Sequence, residues 1–191
     1  MAPKTQYYCA CTLDGYIADS DDGIDWLTGY SGSYDAGGLE PGPMVEGGSY
    51  SRFYEDVGAL VSGSITYEFV LEHSRGEEWP YSGKPYWVLS SRDLPTPDAE
   101  DADVRVADAD PVEIHAQMLA SAGGGNLWVL GGGAVASRVA GAGLLDEVLV
   151  TVVPVVLGSG KPLFTGPLSD PLRLTGIEPY ANGMVELRYV A

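Results

Sequence analysis

The chain has 191 residues, 27 acidic against 10 basic side chains, and a formal charge of −17. So few Lys and Arg exclude a nucleic-acid or anionic-membrane partner, whose phosphates demand cations, and leave any anionic ligand to backbone amides and a few local guanidiniums. The length suits one domain over 1–191 with a sizeable core.

The start, Met1-Ala-Pro-Lys-Thr-Gln6, carries no signal-peptide core, and no apolar run approaches membrane-spanning length. A strand is predicted over Gln6–Thr12. It holds both cysteines, Cys9 and Cys11, two apart on one face, a poor geometry for bonding each other, so a reduced, cytoplasmic protein is expected. Neither has a histidine nearby, and His73 and His115 are the only two, so no metal site is expected. Next comes Thr12-Leu-Asp-Gly-Tyr-Ile-Ala18, in which Asp14 makes an Asp-Gly turn, then Ile24-Asp-Trp-Leu-Thr28. Trp26 either stacks on a flat ring or anchors its loop. From Thr28 to Ser49, seven glycines and two prolines in 22 residues suit either a functional lid or an insertion without a role.

Leu60–Ser62 reads as a short buried strand running through Gly63 into a helix that starts near Ser64. Its first-turn hydroxyls, Ser64 and Thr66, suit a phosphate or simply cap the helix. Pro85–Ser90 is a further strand, and Ser90-Ser91-Arg92 at its end suits a terminal phosphate. Seven acids between Asp93 and Asp110, against Arg105 alone, read as a solvated face. A short strand at Val104–Val106 and a helix at Pro111–Ala120 follow, the proline standing at the first helical position.

Leu127–Leu130 then breaks at Gly131-Gly132-Gly133 and resumes as a helix to Ala140. Glycines allow a close backbone approach, and unpaired first-turn amides attract phosphate, although packing alone also explains three glycines. The spacing fits the dinucleotide-binding fingerprint, but no acid ends the following strand, Val148–Val153, and too little chain remains for that fold. Leu172–Glu178 and Val185–Val190 alternate around Asn182-Gly183, a hairpin signal. The order, βαβ units first and a hairpin last, predicts an α/β fold with a mixed, mostly parallel sheet and helices on both faces.

Taken together, Thr12-Leu-Asp-Gly-Tyr-Ile-Ala18, Asp25-Trp-Leu-Thr28, Leu60-Val-Ser-Gly-Ser-Ile-Thr-Tyr-Glu68, Val88-Leu-Ser-Ser-Arg92, Leu130-Gly-Gly-Gly133 and Leu144–Phe164 resemble the dihydrofolate-reductase-like superfamily. Within it they resemble the C-terminal reductase domain of the riboflavin-biosynthesis deaminase-reductase. The resemblance implies an eight-stranded sheet binding NADPH across its strand ends, and relatives suggest a homodimer. The apolar Val148–Leu157 could serve as its interface, or as a core strand. Carried over, Ala10, Ile17 and Trp26 would meet the nicotinamide. Gly63, Ser64 and Thr66 would hold the pyrophosphate from one side, and Gly131, Gly132, Gly133, Ala134 and Val135 from the other. Ser90, Ser91 and Arg92 would receive the 2′-phosphate.

The pattern also departs from its relatives. Ser64 stands where many carry a basic residue, and the acid that dihydrofolate reductases place after the tryptophan loop falls near Ser49, with Glu46 a turn earlier. Leu130 stands where the riboflavin enzymes place a glutamate. The expected function is an NADPH-dependent reductase moving hydride to a C=N or C=O bond of a small heterocycle of the pteridine, folate or phosphoribosylamino-uracil kind. Asp25 or Glu46 would supply the proton, and Asp14, Tyr50, Phe53 and Thr151 would line the substrate site. The alternative is a nucleotide-binding or dimer-forming module of this fold without catalysis.

Overall fold

The computed structural model describes residues 2–32, 39–40 and 42–191. The elements run β1 (Thr5–Thr12), β2 (Tyr16–Ala18), α1 (Asp25–Thr28), α2 (Ser49–Glu55), β3 (Val57–Gly63), α3 (Ser64–His73), β4 (Tyr86–Leu89), β5 (Val104–Ala107), α4 (Pro111–Ser121), β6 (Asn126–Gly131), α5 (Gly133–Gly141), β7 (Glu147–Val153), β8 (Lys161–Pro162), β9 (Arg173–Pro179) and β10 (Val185–Val190). Eight strands form one sheet in the order β5-β4-β3-β6-β1-β7-β10-β9. The first six are parallel, and the hairpin β9–β10 adds to β7 antiparallel, giving the mixed, mostly parallel sheet that the order of elements predicts. The strand β7 lies between β1 and β10, so burial inside the sheet accounts for the apolar run from Val148 to Val153.

Central strands read as unbroken apolar runs because both faces are covered. Alternate residues go to opposite faces: Tyr7, Ala59, Val129 and Val148 pack with Ile114 and Met118 of α4 and Val135, Ala136 and Val139 of α5. Their neighbours Tyr8, Leu60, Trp128 and Leu149 pack on the other face with Phe53 of α2 and Tyr67 of α3. Helices therefore cover both faces. The helix α4 buries Pro111, Ile114 and Met118, a stripe at helical spacing, and the Asp110 carboxylate caps it by accepting from the Val112 amide at 2.9 Å. The acidic stretch thus supplies a helix cap besides a solvated face.

Four short elements escape the sequence reading. α1 and α2 have only 4 and 7 residues, too few for a clear apolar period, and β2 and β8 pair as a separate two-stranded ribbon. Part of the glycine-rich segment, residues 33–38 and 41, lies outside the described residues, so the structure does not decide between a lid and an insertion without a role. Either side of that gap is pinned to the β9–β10 turn: Tyr30 donates to the Asn182 carbonyl at 2.6 Å, and the Ala181 amide donates to Glu40 at 2.8 Å. The turn is closed by the Tyr180 amide on the Met184 carbonyl, with Gly183 at φ 85°.

Candidate functional site

The sheet order sets the site. β4, β3, β6 and β1 are consecutive neighbours and parallel, so the segments leaving their C-terminal ends stand in a row. In that row are Ser90-Ser91-Arg92, then Gly63-Ser64, then Gly131–Gly133, then the end of β1 just beyond Ala10. Three strand spacings cover roughly 14 Å.

At the centre, two helices begin side by side. α3 is capped by Gly63 and α5 by Gly132, and neither receives a side-chain cap. Ser64 and Thr66 therefore do not cap α3, which removes the plainer reading of these hydroxyls. The three glycines divide by function. A Cβ on Gly133 would stand 2.3 Å from the Pro162 carbonyl oxygen and 2.9 Å from that of Leu163, so this glycine is a packing requirement. A Cβ on Gly132 would meet nothing nearer than 3.9 Å, where the Ile17 and Thr66 side chains stand, and one on Gly131 would meet Thr66 Oγ1 at 3.3 Å. Ile17, Thr66, Gly131 and Gly132 thus gather around one turn, with open space beside Gly132 and first-turn amides pointing out of α5.

Beyond α3, a cleft of about 380 Å³ is lined by Ser64, Ser90, Ser91, Arg92, Asp108 and Arg138, with Leu89, Ala107 and Ala109 as its apolar wall. Ser90 Oγ accepts from the Arg92 amide at 3.0 Å, which holds the turn. Arg92 also donates to Glu68 Oε2 at 2.6 Å. Arg138 and Asp108 are cleft residues that the sequence reading missed. Arg138 lies on α5 among residues read as an ordinary helix, and Asp108 was hidden in the acidic run.

On the opposite side of the glycine turn, Ala10 and Trp26 pack with Val153, Tyr180 and Met184. Trp26 is part-exposed, and its indole N–H is buried without a partner among the described residues. Its neighbour Asp25 points outward and is exposed, as is Glu46 in the turn before α2. Asp14 is engaged elsewhere. Its carboxylate accepts from Thr12 Oγ1 at 2.6 Å and from the Gly158 and Leu157 amides at 2.7 and 3.3 Å, and these bonds hold it below the ordinary carboxylate value. Phe53 is a core residue, its ring edge-on to Tyr8 at 4.6 Å and to Trp128 at 5.2 Å, while Tyr50 is half-buried beside Tyr8 and Trp128.

Beneath Tyr180 lies a second group that the sequence reading missed altogether. Glu186 of β10 is fully buried. Its Oε2 accepts from Ser49 Oγ at 2.7 Å, from the Tyr8 phenol at 2.8 Å and from the Tyr180 phenol at 3.4 Å, while Oε1 accepts from Arg188 Nε at 2.8 Å. Tyr180 and Ser49 also share a bond of 2.6 Å. Burial and the Glu186 charge push the Tyr8 phenol well above 10, against the Ser49 and Thr151 hydroxyls that lower it. Burial pushes Tyr180 up to about 12. Register builds this cluster: Glu186 pairs with Thr151 of β7, which pairs with Ala10 of β1. Ser49, near the place where the resemblance would put an acid, donates to a carboxylate that arrives from β10 instead. The available signal was a run of polar residues, Tyr8, Thr151 and Glu186, that meet on one face of otherwise apolar strands.

The family model described as the RibD C-terminal domain matches residues 69–186. An uncharacterised protein of Bacillus subtilis strain 168, YwjB, is 32% identical over 191 residues, covering 100% of this chain and 99% of that protein. Among solved structures, a protein of Shewanella sp. PV-4 provisionally assigned to riboflavin biosynthesis shares 29% identity and a TM-score of 0.75, covering 100% of this chain and 98% of that one. Dihydrofolate reductase from Enterococcus faecalis, complexed with NADP(H) and RAB-propyl, is similar in fold, with a TM-score of 0.57 at 16% identity over 98% of this chain and 95% of that one. Among the described residues, no helix is long and apolar enough to cross a membrane.

Proposed function

The chain belongs to the RibD C-terminal domain family, and on that premise we propose that it is a single-domain NADPH-dependent reductase acting on a C=N or C=O bond of a small heterocycle. The observation that carries this reading is the order of groups along the strand ends. Hydroxyls and a guanidinium at β4, two helix N-termini without side-chain caps at β3 and β6, and an apolar wall with Trp26 beside β1 follow the order of adenosine phosphate, pyrophosphate and nicotinamide along an extended dinucleotide. The fold likeness to a reductase holding NADP(H) supports the same reading.

NADPH would supply the hydride; the protein's own contribution is to hold and orient. The amides of α3 and α5 would take the pyrophosphate, aided by Ser64 and Thr66. The cleft that Ser90, Ser91 and Arg92 line would take the adenosine 2′-phosphate. Ala10, Ile17 and Trp26 would pack the nicotinamide, so that water is kept from the face where the substrate lies. The substrate would sit against Trp26, Tyr50 and Tyr180 with Thr151 below. Asp25 and Glu46, exposed near this face, would reach the reduced bond only through water.

Titration of the protein with NADPH and with NADH, read by quenching of its four tryptophans, tests this directly. Saturable quenching or energy transfer is expected with at least one of the two. No response at millimolar concentrations of either would reject the reductase and leave a module of this fold without the chemistry.

A further inference from the structure

Resting on the cofactor reading above, the charges around the adenosine-end cleft carry a more specific conclusion. Two guanidiniums line it, and they are not equivalent. Arg92 Nη2 lies 2.6 Å from Glu68 Oε2, with the two side chains 53% and 40% exposed. Such an exposed pair contributes little to stability, yet Glu68 offsets the positive potential of Arg92. A phosphate arriving at Arg92 must displace that carboxylate or bear its repulsion. Arg138 has no carboxylate within ion-pair distance among the described residues. Its one hydrogen bond, from Nη2 to the Ala109 carbonyl, is 3.5 Å long, the outer limit for such a bond. Its donors therefore remain available to a ligand.

The third charge in the lining is Asp108, immediately after β5. Among the described residues its carboxylate takes part in no ion pair and accepts no side-chain hydrogen bond. A carboxylate at a strand end suits a ribose hydroxyl, which donates to it, and opposes a phosphate, which only accepts at neutral pH.

We infer that Arg138, rather than Arg92, is the residue that distinguishes a 2′-phosphate from a 2′-hydroxyl in this cleft, with Asp108 as its counterweight and Glu68 withholding Arg92. The selectivity is then a balance between one available cation and one available carboxylate facing the same ligand. In a protein of net charge −17, an unpaired arginine at this position is the strongest local attraction for a terminal phosphate.

The test measures binding of NADPH and NADH by tryptophan fluorescence, and of 2′,5′-ADP and 5′-AMP by calorimetry, to the wild type, Arg138→Gln, Arg92→Gln and Asp108→Asn. All three side chains are at or near the surface, and thermal melts of each variant check that it folds. Arg138→Gln is expected to weaken NADPH and 2′,5′-ADP at least about tenfold, the scale of a lost charge-assisted contact, and to leave NADH and 5′-AMP within about twofold. Arg92→Gln should cost NADPH less than about threefold, because Arg92 stays on Glu68 and has no phosphate contact to lose, while solvent screens the change of charge at two exposed side chains. Asp108→Asn should tighten NADPH and weaken NADH. A larger loss of NADPH from Arg92→Gln than from Arg138→Gln would overturn the assignment, as would equal losses of NADPH and NADH from Arg138→Gln, while the reductase reading would survive either result. Failure of the wild type to bind any of the four ligands would instead remove the cofactor reading, and this inference with it.

Discussion

The two ends of the candidate site are built on opposite principles. At the end proposed for the adenosine, Ser90, Ser91 and Arg92 sit on an exposed turn just past a strand end as one short contiguous motif, joined by Arg138 from α5. At the end proposed for the substrate, a buried carboxylate is surrounded by donors from β1, β10, α2 and the hairpin turn, separated by up to 178 residues in the chain. The first end is free to exchange water for ligand. The second is satisfied internally, so it resists change. One end should therefore tolerate substitution and lose affinity, and the other should lose stability while the cofactor affinity of the folded protein persists.

Alkaline pH should produce the largest effect, because it sums over many phenols of the buried region. Burial pushes Tyr54 and Tyr180 up to about 12, and Tyr8, Tyr81 and Tyr86 further still. A raised phenol value means that the folded chain keeps its protons where the unfolded chain, near 10, has begun to lose them. The stability due to these groups is whole below pH 10 and is lost as pH rises through about 12. The urea midpoint should fall steeply over that interval, and a flat midpoint to pH 12 would show that the phenols are in contact with solvent.

Glu186→Ala comes next. It leaves the Arg188, Tyr8 and Ser49 donors without their acceptor and opens a cavity, at a cost of about 3–5 kcal/mol. Urea denaturation measures the loss, and the NADPH affinity of the folded fraction should stay within about twofold of wild type. A variant as stable as the parent would mean that water already serves these donors.

Gly133→Ala and Gly132→Ala divide the turn between packing and binding. The first drives a methyl group into the Pro162 and Leu163 carbonyls and should cost about 1–3 kcal/mol. The second has room and should change stability by less than about 0.5 kcal/mol while weakening NADPH, because its methyl group stands where the pyrophosphate would lie. Equal thermal melts for the two variants would erase that division. The smallest effect belongs to Asp110→Ala, remote from the substrate end, which removes the α4 cap at about 1 kcal/mol and should leave cofactor affinity unchanged.

The legible parts of the chain were those whose signal is local. The strand-glycine-helix turns at Gly63 and Gly131, the Asp-Gly turn at Asp14, the proline that opens α4 and the Asn182-Gly183 turn each announce themselves within a few residues, and the structure places each where the sequence puts it. Short elements were harder to see: α1 and α2 span two turns or fewer, and β8 has two residues. Within the site, Arg138 carries no motif that would single it out, and Phe53, expected to line the substrate site, is a core residue.

Glu186 shows why the remainder needed three dimensions. By itself, Val185-Glu-Leu-Arg-Tyr-Val190 alternates as a strand with a wet face does, and the side-chain period of two fixes only that Glu186 and Arg188 share a face. Whether that face meets water depends on what lies over it. Insertion of β10 beside β7 puts Glu186 opposite Thr151, and α2 then closes over it with Ser49. The same distinction separates Arg92 from Arg138: both are basic residues in the chain, but only their neighbours in space decide that Glu68 pairs with the first and that, among the described residues, no carboxylate pairs with the second. Sequence alone determines backbone punctuation and the alternation of faces, because these follow from the local sterics of glycine, proline and successive side chains. Burial and charge pairing depend on neighbours that are distant in the chain, and the tertiary fold alone brings them together.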